Sequence, residues 1–193
     1  MHVLMIYCHP REDSLCAALR DAARAALEGA GHTVEVRDLY AEGFRPALSA
    51  EERGIYHDVP DNLAGIEDHV ASLRRADALL LVHPTWWYGM PAMLKGWFDR
   101  VWAPGVAFRL GSGAIEPLLT SIRRIGVVTT YGSPTWLLWY IGRIDRKLIG
   151  RGIRRLCASD CKVEWMTLTR MDGRSRAECE GFVGRVRERL RRW

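Results

Sequence analysis

Two short apolar runs, Ala78-Leu-Leu-Leu-Val82 and Ile125-Gly-Val-Val-Thr129, carry no polar alternation and constrain the fold more than any other feature of the chain. Unbroken runs of that length suit strands covered on both faces, as in a parallel sheet. The pattern predicts strands near 2–7, 33–37, 78–83, 124–130 and 162–168, with helices near 14–29, 61–75, 91–102, 135–149 and 175–191. Strand and helix alternate throughout, which is the arrangement of a doubly wound α/β sheet with helices on both faces. Right-handed crossovers give five such strands the order 2-1-3-4-5. No linker or repeat divides residues 1–193, so one domain is expected. Residues 40–60, with Gly43, Pro46 and Pro60, read as a long excursion after the second strand.

Charge and cysteine usage narrow the classes of function. The net charge is +5, with the excess concentrated in 143–155 and 185–192. That excess reads as a solvated helix face, or as attraction for phosphorylated cofactors or an anionic membrane surface. No nucleic-acid recognition motif accompanies it. Cys8, Cys16, Cys157, Cys161 and Cys179 are odd in number and scattered, which fits reduced thiols in a cytoplasmic protein. Cys157 and Cys161 have no His or Cys cluster beside them, so no metal site is expected. The apolar start His2–Tyr7 is too short for the core of a signal peptide and reads as a first strand.

Sheets of this type bind ligands beyond the carboxyl ends of their strands, where the winding reverses. The loops that matter are therefore 8–14, 83–90 and 130–135. In the first, His9, Arg11 and Ser14 precede a helix whose N-terminal N–H groups suit an anion. Ser14 also reads as an ordinary N-cap, and the acidic side chains of Glu12 and Asp13 are expected to point away from a phosphate. In the second, Trp86, Trp87 and Tyr88 precede the helical period set by Met93, Leu94, Trp97, Phe98, Val101 and Trp102, whose side chains read as core. Three loop aromatics outside that period predict a flat partner. In the third, Thr129, Thr130, Tyr131 and Gly132 offer hydroxyls and the N–H groups of Tyr131 and Gly132. An anion cradle, an aromatic wall and a polar edge together match a flavin, and neither Gly-x-Gly-x-x-Gly nor a Walker loop is present.

Several motifs carry a resemblance to a known family: Tyr7-Cys-His-Pro10 with Ser14-Leu15, Pro84, Trp87-Tyr-Gly-Met-Pro91, Leu94-Lys-Gly-Trp-Phe98, Arg100-Val101 and Thr129-Thr-Tyr-Gly132. Over residues 2–135 the chain resembles the flavodoxin-like NAD(P)H:quinone oxidoreductases, including the small bacterial members that accompany potassium efflux systems. The resemblance implies that His9, Ser14 and Leu15 lie along the phosphate. Pro84, Thr85, Trp86, Trp87 and Tyr88 would border the isoalloxazine, and Thr129, Thr130, Tyr131 and Gly132 its polar edge. Trp87, Tyr88 and Tyr131 are the catalytic candidates. Cys16 stands where members often have Asn, and Trp136, Tyr140 and Arg143 are the candidates for a Tyr and a His found near the flavin in larger relatives.

The expected activity is two-electron hydride transfer from NAD(P)H to a quinone-like acceptor, one substrate at a time. The short chain favours FMN, with FAD an alternative. A homodimer is expected, because Met93–Trp102 and Trp136–Ile141 carry more large apolar side chains than one core needs. Segment 136–155 has a second use as a peripheral membrane or transporter contact. The other functional readings are a regulatory flavoprotein subunit of a transporter and a flavodoxin-like electron carrier.

Overall fold

The computed structural model describes residues 1–111 and 113–193. Five parallel strands form its sheet: β1 (His2–Tyr7), β2 (Thr33–Asp38), β3 (Ala78–Pro84), β6 (Arg124–Thr130) and β7 (Lys162–Leu168). Their spatial order is β2-β1-β3-β6-β7, so the winding reverses between β1 and β3. Every residue of β3 is buried, as its unbroken apolar run requires.

Strand alternation divides the core into two layers. Leu4, Ile6, Leu79, Leu81, Ile125 and Val127 face α3 (Glu67–Arg75) and α4 (Ala92–Val101), burying Leu73, Leu94, Trp97 and Val101. Val3, Met5, Tyr7, Leu80, Val82 and Val128 face α1 (Leu15–Gly29) and α7 (Arg176–Leu190), burying Leu19, Leu27, Phe182, Val186 and Leu190. Each fully buried aliphatic side chain contributes about 1.5–3 kcal/mol.

The structure departs from the sequence reading in four places. The helix expected over 61–75 is a single 3₁₀ turn, Asp61–Leu63, and then α3, because Gly65 turns left-handed at φ 76° between them. The helix expected over 135–149 is α5 (Thr135–Ile141) and α6 (Ile144–Lys147), separated by Gly142 at φ 90° and Arg143 at φ 48°. Within the 40–60 excursion lies α2 (Ala50–Gly54), closed by a Ser49–Glu52 capping box. A small antiparallel hairpin, β4 (Phe108–Leu110) with β5 (Ile115–Pro117), follows α4; strands of three residues leave no periodicity to read.

The α4 side chains offered as interface surplus also need correction. Leu94, Trp97, Phe98, Val101 and Trp102 are all buried in the chain's own core. Among the described residues no helix is long and apolar enough to cross a membrane.

Candidate functional site

Two adjoining cavities open at the carboxyl ends of β1, β3 and β6, where the winding reverses. The first, ≈ 530 Å³, lies at the start of α1 and is lined by His9, Asp13, Ser14, Leu15, Cys16, Pro84, Thr85, Trp86, Thr130, Gly132, Met171 and Asp172. The second, ≈ 390 Å³, lies between Trp86, Trp87 and Tyr88 on one side and Tyr131, Gly132 and Ser133 on the other. They share Thr85, Trp86 and Gly132, so one elongated molecule can occupy both.

The aromatic wall is a tight turn. Trp86 and Gly89 exchange both backbone hydrogen bonds, each at 3.1 Å, and the two central residues are left-handed, Trp87 at φ 50° and Tyr88 at φ 62°. Both central φ values are positive, the pattern of a type I′ turn, which favours Asn and Gly at those positions. Placing two aromatics there costs about 1–2 kcal/mol per residue. Strain of this kind collects at ligand sites, where surrounding structure holds it. Trp87 is 95% exposed, so its ring has no apolar cover from its own chain.

At the other end, Ser14 caps α1 by accepting from the Ala17 N–H at 3.1 Å. The first-turn N–H groups of Leu15 and Cys16 have no carbonyl to bond within the helix. His9 Nδ1 lies 3.1 Å from both the Arg11 N–H and the Arg11 carbonyl oxygen, so the loop backbone engages that nitrogen and Nε2 is the one left for a ligand. Burial pushes the Cys16 thiol up to about 12, so it stays a neutral lining group. The Tyr7 hydroxyl is buried beside Ser14, and burial raises it above the ordinary phenol value.

Arg11 lies elsewhere than the sequence placed it. Its guanidinium forks onto Asp13, Nε to Oδ1 at 2.8 Å and a terminal nitrogen to Oδ2 at 2.6 Å, and does not line the cavity. That guanidinium holds the Asp13 carboxyl below the usual carboxylate range. Glu12 does turn away, onto Arg20 at 2.9 Å, but Asp13 lines the cavity after all. The expected acidic side chains therefore divide, Glu12 paired with Arg20 and Asp13 with Arg11.

The third loop also differs in detail. The Tyr131 N–H donates to Leu168 O of β7 at 2.8 Å and is not free to face a ligand. Gly132 and Ser133 line the aromatic cavity and supply the remaining N–H groups of that loop. Thr129 is fully buried and reaches the cavities through Thr85, hydroxyl to hydroxyl at 2.9 Å. The Tyr131 hydroxyl points inward and donates to Asp145 of α6. Burial, and then that carboxylate, raise the phenol well above its ordinary value. Trp136 and Tyr140 line neither cavity, and Arg143 lines a small cleft that includes Tyr131.

Sequence reasoning missed Met171 and Asp172, which follow β7, and Ser133. Asp172 sits close against Gly132: a Cβ there would lie 2.6 Å from its Oδ2. The signal for Met171 and Asp172 was their place after the carboxyl end of the fifth strand, one loop beyond those read, whereas Ser133 lies within the third loop itself.

Comparison with known proteins matches residues 1–174 to a family described as having a flavodoxin-like fold. The chain belongs to that flavodoxin-like family. An uncharacterized NAD(P)H oxidoreductase of Escherichia coli is 38% identical over 109 residues, covering 55% of each chain. NAD(P)H dehydrogenase [quinone] 1 of Cavia porcellus is 32% identical over 147 residues, covering 67% of this chain and 53% of its own. The chain thus spans little more than half the length of these curated relatives. Among solved structures, NAD(P)H:quinone oxidoreductase from Methanothermobacter marburgensis superposes with a TM-score of 0.82 at 30% identity, over 99% of this chain and 96% of its own.

Proposed function

We propose that this flavodoxin-like chain is a flavin-dependent NAD(P)H oxidoreductase that reduces quinone-like acceptors, with residues 1–193 acting as one cytoplasmic flavin-binding domain. The observation that carries this reading is the strained aromatic turn, Trp87 and Tyr88 left-handed beside a cavity continuous with the start of α1. The names of the relatives support it.

The donor set fits a flavin mononucleotide. His9 Nε2, Ser14 and the N–H groups of Leu15 and Cys16 would hold one phosphate. These donors make a place for one phosphate, which favours FMN over FAD. Trp86, Trp87 and Tyr88 would cover the ring, and the N–H groups of Gly132 and Ser133 would meet its polar edge. When bound, the flavin supplies hydride chemistry between a nicotinamide and an acceptor.

The chain's own part is orientation and exclusion of water. Trp87 and Tyr88 face Tyr131 and Gly132 across the cavity that would hold the ring, and nicotinamide and acceptor would take turns against the same open face of that ring. Preset N–H groups at Gly132 and Ser133 stabilise negative charge at the polar edge without reorganising. Exposed Trp87, Trp136 and Tyr140 would be covered by a second copy in a homodimer, Trp136 and Tyr140 sharing one face of α5 at i, i+4. Steady-state rates at varied NAD(P)H and quinone test the shared cavity: parallel double-reciprocal lines are expected, and intersecting lines would refute it.

A further inference from the structure

Beyond the flavin cavities, the segment after α5 forms a separate cavity of ≈ 420 Å³, lined by Trp139, Gly142, Arg143, Arg146, Lys147 and Arg151. Four cations and no carboxylate line it. Elsewhere arginines answer acids: Arg20 pairs with Glu12, Arg24 with Glu28, Arg100 with Glu52 and Arg174 with Glu178. The four cations here have no ion-pair partner among the described residues. Asp145 is the sole acidic residue between 133 and 159. Its carboxylate is buried and turned to the Tyr131 hydroxyl and the Arg146 backbone N–H.

Two of the four cations are held in place before any ligand arrives. The left-handed corner at Gly142 and Arg143 folds the Arg143 guanidinium back over the Trp139 ring at 3.9 Å. Arg146 lies over Trp165 at 4.8 Å. Trp139 remains 64% exposed, a flat apolar surface beside the charges. Arg143 and Arg146 also line the small cleft that contains Tyr131, and Tyr131 lines the aromatic cavity. The basic cavity is thus separated from the aromatic cavity by that cleft alone, with Tyr131 on one side of the cleft and Arg143 and Arg146 on the other.

We propose that this cavity receives the phosphorylated adenosine end of NADPH and selects it over NADH. The inference rests on the flavin-dependent reading above and adds the choice of nicotinamide donor. NADPH differs from NADH by one phosphate monoester on the adenosine ribose, carrying nearly two negative charges at neutral pH. Arg143 and Arg146 present planar forks suited to such a group, and Lys147 and Arg151 add charge at the rim. Trp139 offers the adenine a face to lie against.

Calorimetric titration of the purified full chain with adenosine 2′,5′-bisphosphate, 5′-AMP and inorganic phosphate tests the site without turnover. The bisphosphate is expected to bind at least about tenfold tighter than 5′-AMP, with inorganic phosphate weaker than either. Added salt should shrink the difference. Arg143→Ala with Arg146→Ala should abolish the preference. Because both arginines stack on tryptophans, the exposed pair Lys147→Ala with Arg151→Ala is the second variant, and it should reduce the preference in the same direction. Equal affinity for the two nucleotides, or a preference untouched in a folded variant, overturns the assignment. Binding to anionic phospholipid vesicles with no response to the bisphosphate would overturn it in favour of a membrane surface. Flavin content is read separately from the visible spectrum, so failure here is distinct from failure of the flavin reading.

Discussion

The Tyr131 hydroxyl donates to the carboxylate of Asp145, tying the end of β6 to α6. Asp145 is 3% exposed, and its other oxygen accepts the Arg146 N–H at 2.8 Å. Tyr131→Phe removes one donor from a buried carboxylate and should cost about 1–3 kcal/mol of stability. Asp145→Asn in the Tyr131→Phe background should recover part of that loss, since the neutral amide is cheaper to leave half-satisfied. Urea unfolding of the three proteins checks both steps; no loss in Tyr131→Phe would show that the pair contributes nothing.

Trp87 sets stability and binding against each other. Trp87→Gly releases a left-handed side chain and should stabilise the fold by about 1 kcal/mol. The same change removes the exposed ring and should weaken FMN binding about tenfold. Thermal unfolding and fluorescence titration read the two effects separately. A variant destabilised by the change would mean that the turn is not strained.

Asp13 and Arg11 predict opposite effects from neighbouring substitutions. Arg11→Ala leaves the Asp13 carboxylate unneutralised at the cavity and should weaken FMN binding several-fold. Asp13→Ala frees the Arg11 guanidinium and should tighten it by a similar factor, more so at low salt. Titration at two ionic strengths checks the signs, and weaker binding by Asp13→Ala would show that Arg11 is of no use to the phosphate.

His83 predicts a pH dependence. It is fully buried, with Nδ1 donating to Pro84 O at 2.9 Å and Nε2 unpartnered. Burial lowers its pKa to about 4, only partly offset by the Pro84 carbonyl and Asp145. In the unfolded chain the ring titrates near 6.5, so stability is full above about pH 6.5 and falls as the pH drops toward 4. His69, lowered to about 4 by burial, acts in the same direction. Each contributes up to roughly 3 kcal/mol across that window. Urea midpoints should fall between pH 7 and pH 5, while the His83 ring resonances of the folded protein remain those of the neutral imidazole; a flat midpoint would contradict this.

What the chain discloses without coordinates follows from how local each determinant is. The runs at 78–82 and 125–129 mark central strands because burial on both faces leaves no polar positions. The aromatic loop is equally visible, since Trp86, Trp87 and Tyr88 fall outside the period of α4. Its shape is not, because the left-handed residues of such a turn are ordinarily Asn or Gly. The corner at 142–143 hides inside an apolar pattern that runs on through Gly142. Asp145 looks like a solvated helix residue until α6 turns it onto Tyr131. Which N–H groups of the third loop remain available depends on β7, whose Leu168 carbonyl takes that of Tyr131. Arg11 is not legible in the sequence, because a cation near a helix start and a cation held by a nearby carboxylate share one pattern.

The most direct test loads the purified chain with FMN and mixes it anaerobically with NADPH, then with a quinone. The flavin reading predicts stoichiometric FMN uptake, loss of the yellow absorbance on adding NADPH and its full return on adding quinone. A chain that takes up no FMN, or whose bound FMN keeps its colour in the presence of both NADPH and NADH, would contradict it.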